Sequence, residues 1–174
     1  MMEGEVQHVT AIVSSSLQDQ AVLHRLKENG VRVRLSSSVS RKAVIFPVSG
    51  VAFRLVSERD LSAQPVPVDE DVLSIGEDLI SELKSFASVH RHAFLLVLVS
   101  GMFNLRMYHK LNLIFLQSNL NLIPVANGEA AVKSLLTVAK VCKQPQADLV
   151  RQHLMDFLMQ METPGETLTM DNSL

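Results

Sequence analysis

Apolar and polar positions alternate along this chain in a way that divides it into short strands and amphipathic helices. Residues 9–13 are rich in β-branched side chains and run into Ser14-Ser15-Ser16, which reads as a buried strand leading to a helix N-cap cluster. Leu17, Ala21, Val22 and Leu26 then recur at helical spacing, and Asn29-Gly30 supplies the stop. Val31, Val33 and Leu35 alternate with Arg32 and Arg34, as in a strand with one wet, basic face. Residues 43–56 (AVIFPVSGVAFRLV) hold two apolar runs around Ser49-Gly50. That pattern predicts a hairpin, with Pro47 placing its first arm at an edge or bulge.

Residues 61–71, with Pro65 and Pro67, predict a surface loop. Over residues 72–89 the set Val72, Ile75, Leu79, Ile80, Leu83, Phe86 and Val89 has a helical period. Residues 94–99 (FLLVLV) are continuously apolar, as expected of a central strand covered on both faces. A helix over 103–118, a strand over 120–125 and a helix over 128–142 follow. The order β-α-β-β-β-α-β-α-β-α predicts an α/β fold, a three-layer sandwich around a mixed sheet. After Pro145 one more amphipathic helix is expected over 147–161, then a polar tail. The expected division is a domain over 1–145 and an appendage over 146–174.

Two of these helices carry more apolar surface than one contact uses. In the helix from residue 103, Phe103, Met107, Leu111 and Ile114 fall on one side, and Leu105, Tyr108, Phe115 and Leu116 on roughly the other. In the helix from residue 128 the apolar arc includes Val132, Leu135, Leu136 and Ala139, and is wider than an ordinary surface helix needs. Leu105, Tyr108, Phe115, Leu116, Val132, Leu135, Leu136 and Ala139 are therefore the expected partner-binding residues.

Composition narrows the classes. Hydrophobic residues make up 47% and charged residues 20% of the 174, and mean hydropathy is +0.21, which excludes intrinsic disorder. No apolar run reaches a membrane span, and MMEGEV lacks the basic and apolar regions of a signal peptide, so a soluble intracellular protein is expected. The single cysteine, Cys142, forbids an intrachain disulfide and every Cys-rich zinc site. The net charge of −2 is not that of a strong nucleic-acid binder. Its distribution says more, since eight bases and two acids lie between Arg25 and Arg59. Arg32, Arg34, Arg41, Lys42 and Arg54 are the candidate phosphate contacts, with a plain solvated strand face as the alternative.

Catalytic signals are weak. The turn at Ser14-Ser15-Ser16 has no glycine to let a pyrophosphate approach, so plain capping is favoured over nucleotide binding, and a small enzyme using that loop is the alternative function. No G-x-S-x-G occurs. His90 and His92 have no further metal ligands nominated beside them, and Asp69, Glu70 and Asp71 sit where acids favour a helix dipole anyway. Cys142 lies on an apolar arc with no base nearby and reads as an inert thiol. No catalytic residue, metal, cofactor or small-molecule substrate is expected.

The segments IVSSSL (12–17), IFPVSGVAF (45–53), NLNLIPV (119–125) and LLTVAKVCKQP (135–145) resemble the animal members of the meiotic crossover family named for sporulation protein sixteen. The likeness runs over residues 8–145, in order and with similar spacing. It implies a restriction-nuclease-like domain akin to the inert partner subunit of the XPF nuclease. It also implies an XPF-like meiotic partner of the shortage-in-chiasmata family, and work on branched recombination intermediates at meiotic chromosomes in the nucleus, favouring crossovers and synapsis. The active XPF signature is G-D followed by E-R-K-x-x-x-D, whose carboxylates hold metal ions. The nearest string, Ser57-Glu58-Arg59-Asp60, reads as lacking both the lysine and the spaced aspartate, so an enzyme is not expected. XPF-like heterodimers usually append a tandem helix-hairpin-helix module that grips DNA; with 29 residues after Pro145, at most its first helix is expected here, and the partner is expected to supply most of the DNA contact.

Overall fold

The computed structural model describes residues 9–17, 20–61, 75–143 and 154–155. Two compact units are present, Met1–Lys143 and Gln144–Leu174; in the second, Leu154 and Met155 are helical and exposed. The loop expected over 61–71 and most of the helix expected over 147–161 lie outside the described residues.

The first unit runs β1 (Thr10–Ser14), α1 (Gln20–Glu28), β2 (Arg32–Ser36), β3 (Ala43–Phe46), β4 (Val51–Val56), α2 (Glu58–Leu61), α3 (Glu77–Val89), β5 (His92–Leu98), α4 (Met102–Phe115), β6 (Leu120–Val125) and α5 (Gly128–Lys143). The strands form one sheet in the order β2-β1-β3-β4-β5-β6. Strand β3 is antiparallel to both neighbours, β1 and β4, and the remaining pairs are parallel. The sheet is therefore mixed, as the element order predicts.

Strand alternation sorts the core into two layers. On one face Ala11, Val13, Val44, Phe46, Val51, Phe53 and Leu96 meet Val22 and Leu26 of α1 and Ala131, Val132, Leu135 and Ala139 of α5. On the other Ala43, Ala52, Val56, Ala93, Leu95 and Val97 meet Leu83 and Phe86 of α3 and Met107, Leu111 and Phe115 of α4. Helix α3 begins at Glu77 rather than residue 72, and Ile75 and Gly76 before it are non-helical.

Two local expectations are corrected. Strand β3 is interior, because Pro47 falls one residue beyond its end, in the turn, where no ladder hydrogen bond is lost. The turn closes through Gly50 at φ 66°, donating its N–H to the Phe46 carbonyl at 3.0 Å, a conformation that suits glycine. Among the described residues no hydrogen bond from the serines after β1 caps α1. The Ser14 and Ser16 hydroxyls are 2.8 Å apart, and Ser16 Oγ accepts the Lys42 N–H at 2.9 Å. They tie the end of β1 to the β2–β3 connection.

Candidate functional site

Two surfaces and one cleft collect the residues of interest. The first surface is the outward side of α4. Its buried row is Met107, Leu111 and Phe115, at intervals of four, which the sheet selects. Opposite that row, Met102 (78% exposed), Leu105 (38%), Leu113 (74%) and Leu116 (71%) fall within about 80° of one another on a helical wheel, with exposed His109 among them. Exposed single leucines are ordinary; a row of four on one helix face is not.

This placement corrects the expected partner surface. Of its residues only Leu105 and Leu116 are open to solvent. Phe115 belongs to the core row of α4, because a helix that is apolar nearly all round leaves its two faces to be divided by whatever packs against it. Val132, Leu135 and Ala139 are 3%, 0% and 4% exposed inside the chain's own core, and Leu136 packs half-buried against the same cluster. The wide arc of α5 is filled by α1 and the sheet. Tyr108 is half-buried against the α3–α4 layer. Met102 and Leu113 lie outside the expected set; with Leu105 and Leu116 they form the i, i+3, i+11, i+14 row that remains once Met107, Leu111 and Phe115 are assigned to the sheet.

The second surface is basic. Arg32 and Arg34 project from the same face of β2 and are exposed, beside Thr10 and Ile12 of β1 in register, and Arg41 is exposed on the β2–β3 connection. Lys42 and Arg54 do not join them, correcting the expected five-residue patch. Both are held in ion pairs in the cleft.

The cleft, about 900 Å³, opens at the carboxyl ends of β1, β4, β5 and β6, the place where open α/β sheets commonly bind ligands. Lys42, Arg54, Ser57, Asp60 and Glu82 line it. Lys42 Nζ donates to both Asp60 carboxylate oxygens, at 2.6 and 2.8 Å. The Ser57 N–H and hydroxyl donate to the same carboxylate at 2.8 and 2.7 Å. Lys42 itself sits at φ 54°, a left-handed conformation costly for a residue with a Cβ. Arg54, only 5% exposed, donates through Nη2 to Glu82 of α3, and a guanidinium buried so deeply requires such a partner. Its buried Nε has no partner among the described residues.

Burial pushes the Asp60 carboxyl up, but hydrogen bonds from Lys42 and Ser57, with the Lys42 charge, outweigh it and hold the carboxyl below its ordinary value of 3.8. His90, at the C-terminus of α3, lies tilted against Phe86 at 4.7 Å between ring centroids, and burial lowers its imidazole from the ordinary 6.5. Both are depressed, so both contribute stability at neutral pH. As pH falls below 6.5 the unfolded chain takes up a proton at His90 that the folded chain resists, and stability declines; Asp60 adds its loss only below 3.8. The melting temperature of wild type is expected to fall between about pH 7.5 and pH 5.5 more steeply than that of His90→Gln. Calorimetry of the two across that range is the check.

His92 is exposed, Cys142 is half-buried against the α1–α5 cluster, and no group of three His, Cys, Asp or Glu that could hold a metal occurs among the described residues. No helix among them is long and apolar enough to cross a membrane.

With this geometry in hand, the chain can be set beside known proteins. A family model described as "Protein SPO16 homolog" matches residues 6–161. The human protein called Protein SPO16 homolog is 30% identical over 143 residues, spanning 81% of this chain and 74% of the human one. Among solved structures, XPF from Aeropyrum pernix superposes with a TM-score of 0.57 at 13% identity, over 90% of this chain and 75% of that one. The same archaeal protein in complex with DNA gives 0.57 at 14% identity, over 91% and 76%. The structural likeness is one of fold.

Proposed function

From the premise that this chain belongs to the Protein SPO16 homolog family, we propose that it is the non-catalytic subunit of a meiotic heterodimer whose other member is XPF-like, of the shortage-in-chiasmata family. The pair holds branched recombination intermediates at meiotic chromosomes in the nucleus, favouring crossovers and the integrity of the synaptonemal complex. The observation that carries this reading is the exposed apolar row Met102, Leu105, Leu113 and Leu116 on α4 of an XPF-like fold. That row gives a second nuclease-like domain a desolvated surface to cover.

DNA contact is the lesser part of this subunit's work. Arg32, Arg34 and Arg41 supply phosphate contacts that are independent of sequence and add to those of the partner. Two related domains engaging two duplex arms at once raise the effective concentration of the second contact, which gives a preference for branched over plain duplex DNA. The test is fluorescence anisotropy of the purified heterodimer on a branched and a linear duplex at several salt concentrations. Wild type is expected to favour the branched substrate, and Arg32→Ala/Arg34→Ala/Arg41→Ala to flatten the log–log salt slope by about 0.9 for each phosphate no longer neutralised. An unchanged slope assigns DNA contact to the partner; no branch preference in wild type contradicts the function itself.

A further inference from the structure

The signature E-R-K-x-x-x-D separates its glutamate from its aspartate by six positions. Setting Asp60 in the aspartate place puts Arg54, Leu55 and Val56 in the places of Glu, Arg and Lys. In that frame Asp60 stands in the aspartate's place, and the glutamate's place is taken by a residue of opposite charge. Arg54 and Asp60 line the same cleft at the carboxyl ends of the strands.

We propose that Lys42 and Arg54 are the resident cations of this cleft, so that it neither takes nor requires a divalent metal. This rests on the reading of the chain as a non-catalytic subunit. The donor set does not fit a metal ion. The Asp60 carboxylate already receives Lys42 Nζ on both oxygens and two donors from Ser57, which leaves it little capacity to coordinate. Glu82 is engaged by a guanidinium that is almost wholly buried and cannot swing away without leaving its charge unpaired. An incoming metal ion would meet two fixed positive charges, and Asp78, the further carboxylate lining the cleft, is exposed and completes no metal-holding group with Asp60 and Glu82 among the described residues. The left-handed backbone of Lys42 is held by its N–H to Ser16 Oγ and its carbonyl to the Leu55 N–H. Strain kept in place by surrounding contacts in this way is characteristic of a residue with a task. Here the ammonium is placed against Asp60, as a metal would be.

The experiment compares Mn²⁺ binding, by titration calorimetry and by the free Mn²⁺ spin-resonance signal, to the full-length wild-type chain and to Lys42→Met/Arg54→Glu. Wild type is expected to bind no Mn²⁺ at millimolar concentration and to melt at the same temperature with Mn²⁺ or with chelator. The double variant brings a new carboxylate to Asp60 and Glu82 without their cations, and is expected to bind Mn²⁺ at least about tenfold more tightly and to melt higher when it is present. Mn²⁺ binding by wild type as tight as by the variant overturns the proposal, and so does a folded double variant that gains none. Should the double variant fail to fold, Lys42→Met alone is decisive. Asp60 then loses its cation while Arg54 stays in place; a gain in Mn²⁺ affinity supports the proposal and no gain overturns it. Branch preference of the wild-type heterodimer in chelator reports separately on the functional reading.

Discussion

Leu135→Ala is expected to lower the stability of the isolated chain by about 2–5 kcal/mol, and Leu135→Glu to prevent folding. Leu135 is fully buried where α5 meets α1 and the sheet, with Val22, Leu26, Val132 and Ala139 in the same cluster. Truncation leaves a cavity that the neighbouring strands and helices cannot close, because they are fixed by their own ladders. The measurement is urea denaturation followed by circular dichroism. A midpoint shifted at unchanged m-value identifies a loss of stability rather than a change in the unfolded state. A Leu135→Ala chain as stable as wild type would place α5 on an outer face after all.

Leu113→Glu/Leu116→Glu is expected to do the reverse, leaving the fold intact and abolishing pairing. Both side chains are more than 70% exposed in the unpartnered chain, so carboxylates there cost the protomer little. Desolvated against a partner without a counter-charge, each would cost several kcal/mol, enough to lower association by orders of magnitude. Co-expression with the proposed XPF-like partner and size-exclusion chromatography reads this out, with the circular dichroism spectrum confirming that the variant folds. Wild-type co-elution by the folded double variant would move the interface off α4.

Most of the sheet was legible because its signals are local. The alternation at Val31 to Leu35 and the uninterrupted FLLVLV of β5 each carry their strand within a few residues. The short helix α2 was not anticipated, since Glu58-Arg59-Asp60-Leu61 is too brief to show a period. The faces of α4 were misdivided for a different reason: apolar residues surround most of its circumference, and only the sheet decides that Phe115 turns inward. The cleft was hidden by distance along the chain. Lys42 and Asp60 lie 18 residues apart, Arg54 and Glu82 lie 28 apart, and no pattern within a strand or helix marks such pairs.

The outer strands β2 and β6 each leave one side of the sheet unpaired among the described residues. Exposed backbone of that kind recruits strands from other molecules, and both strands carry deterrents to it: Arg32 and Arg34 on β2, and Pro124, which has no N–H to offer, on β6. Growth of the sheet across a boundary between molecules is thus disfavoured at either end.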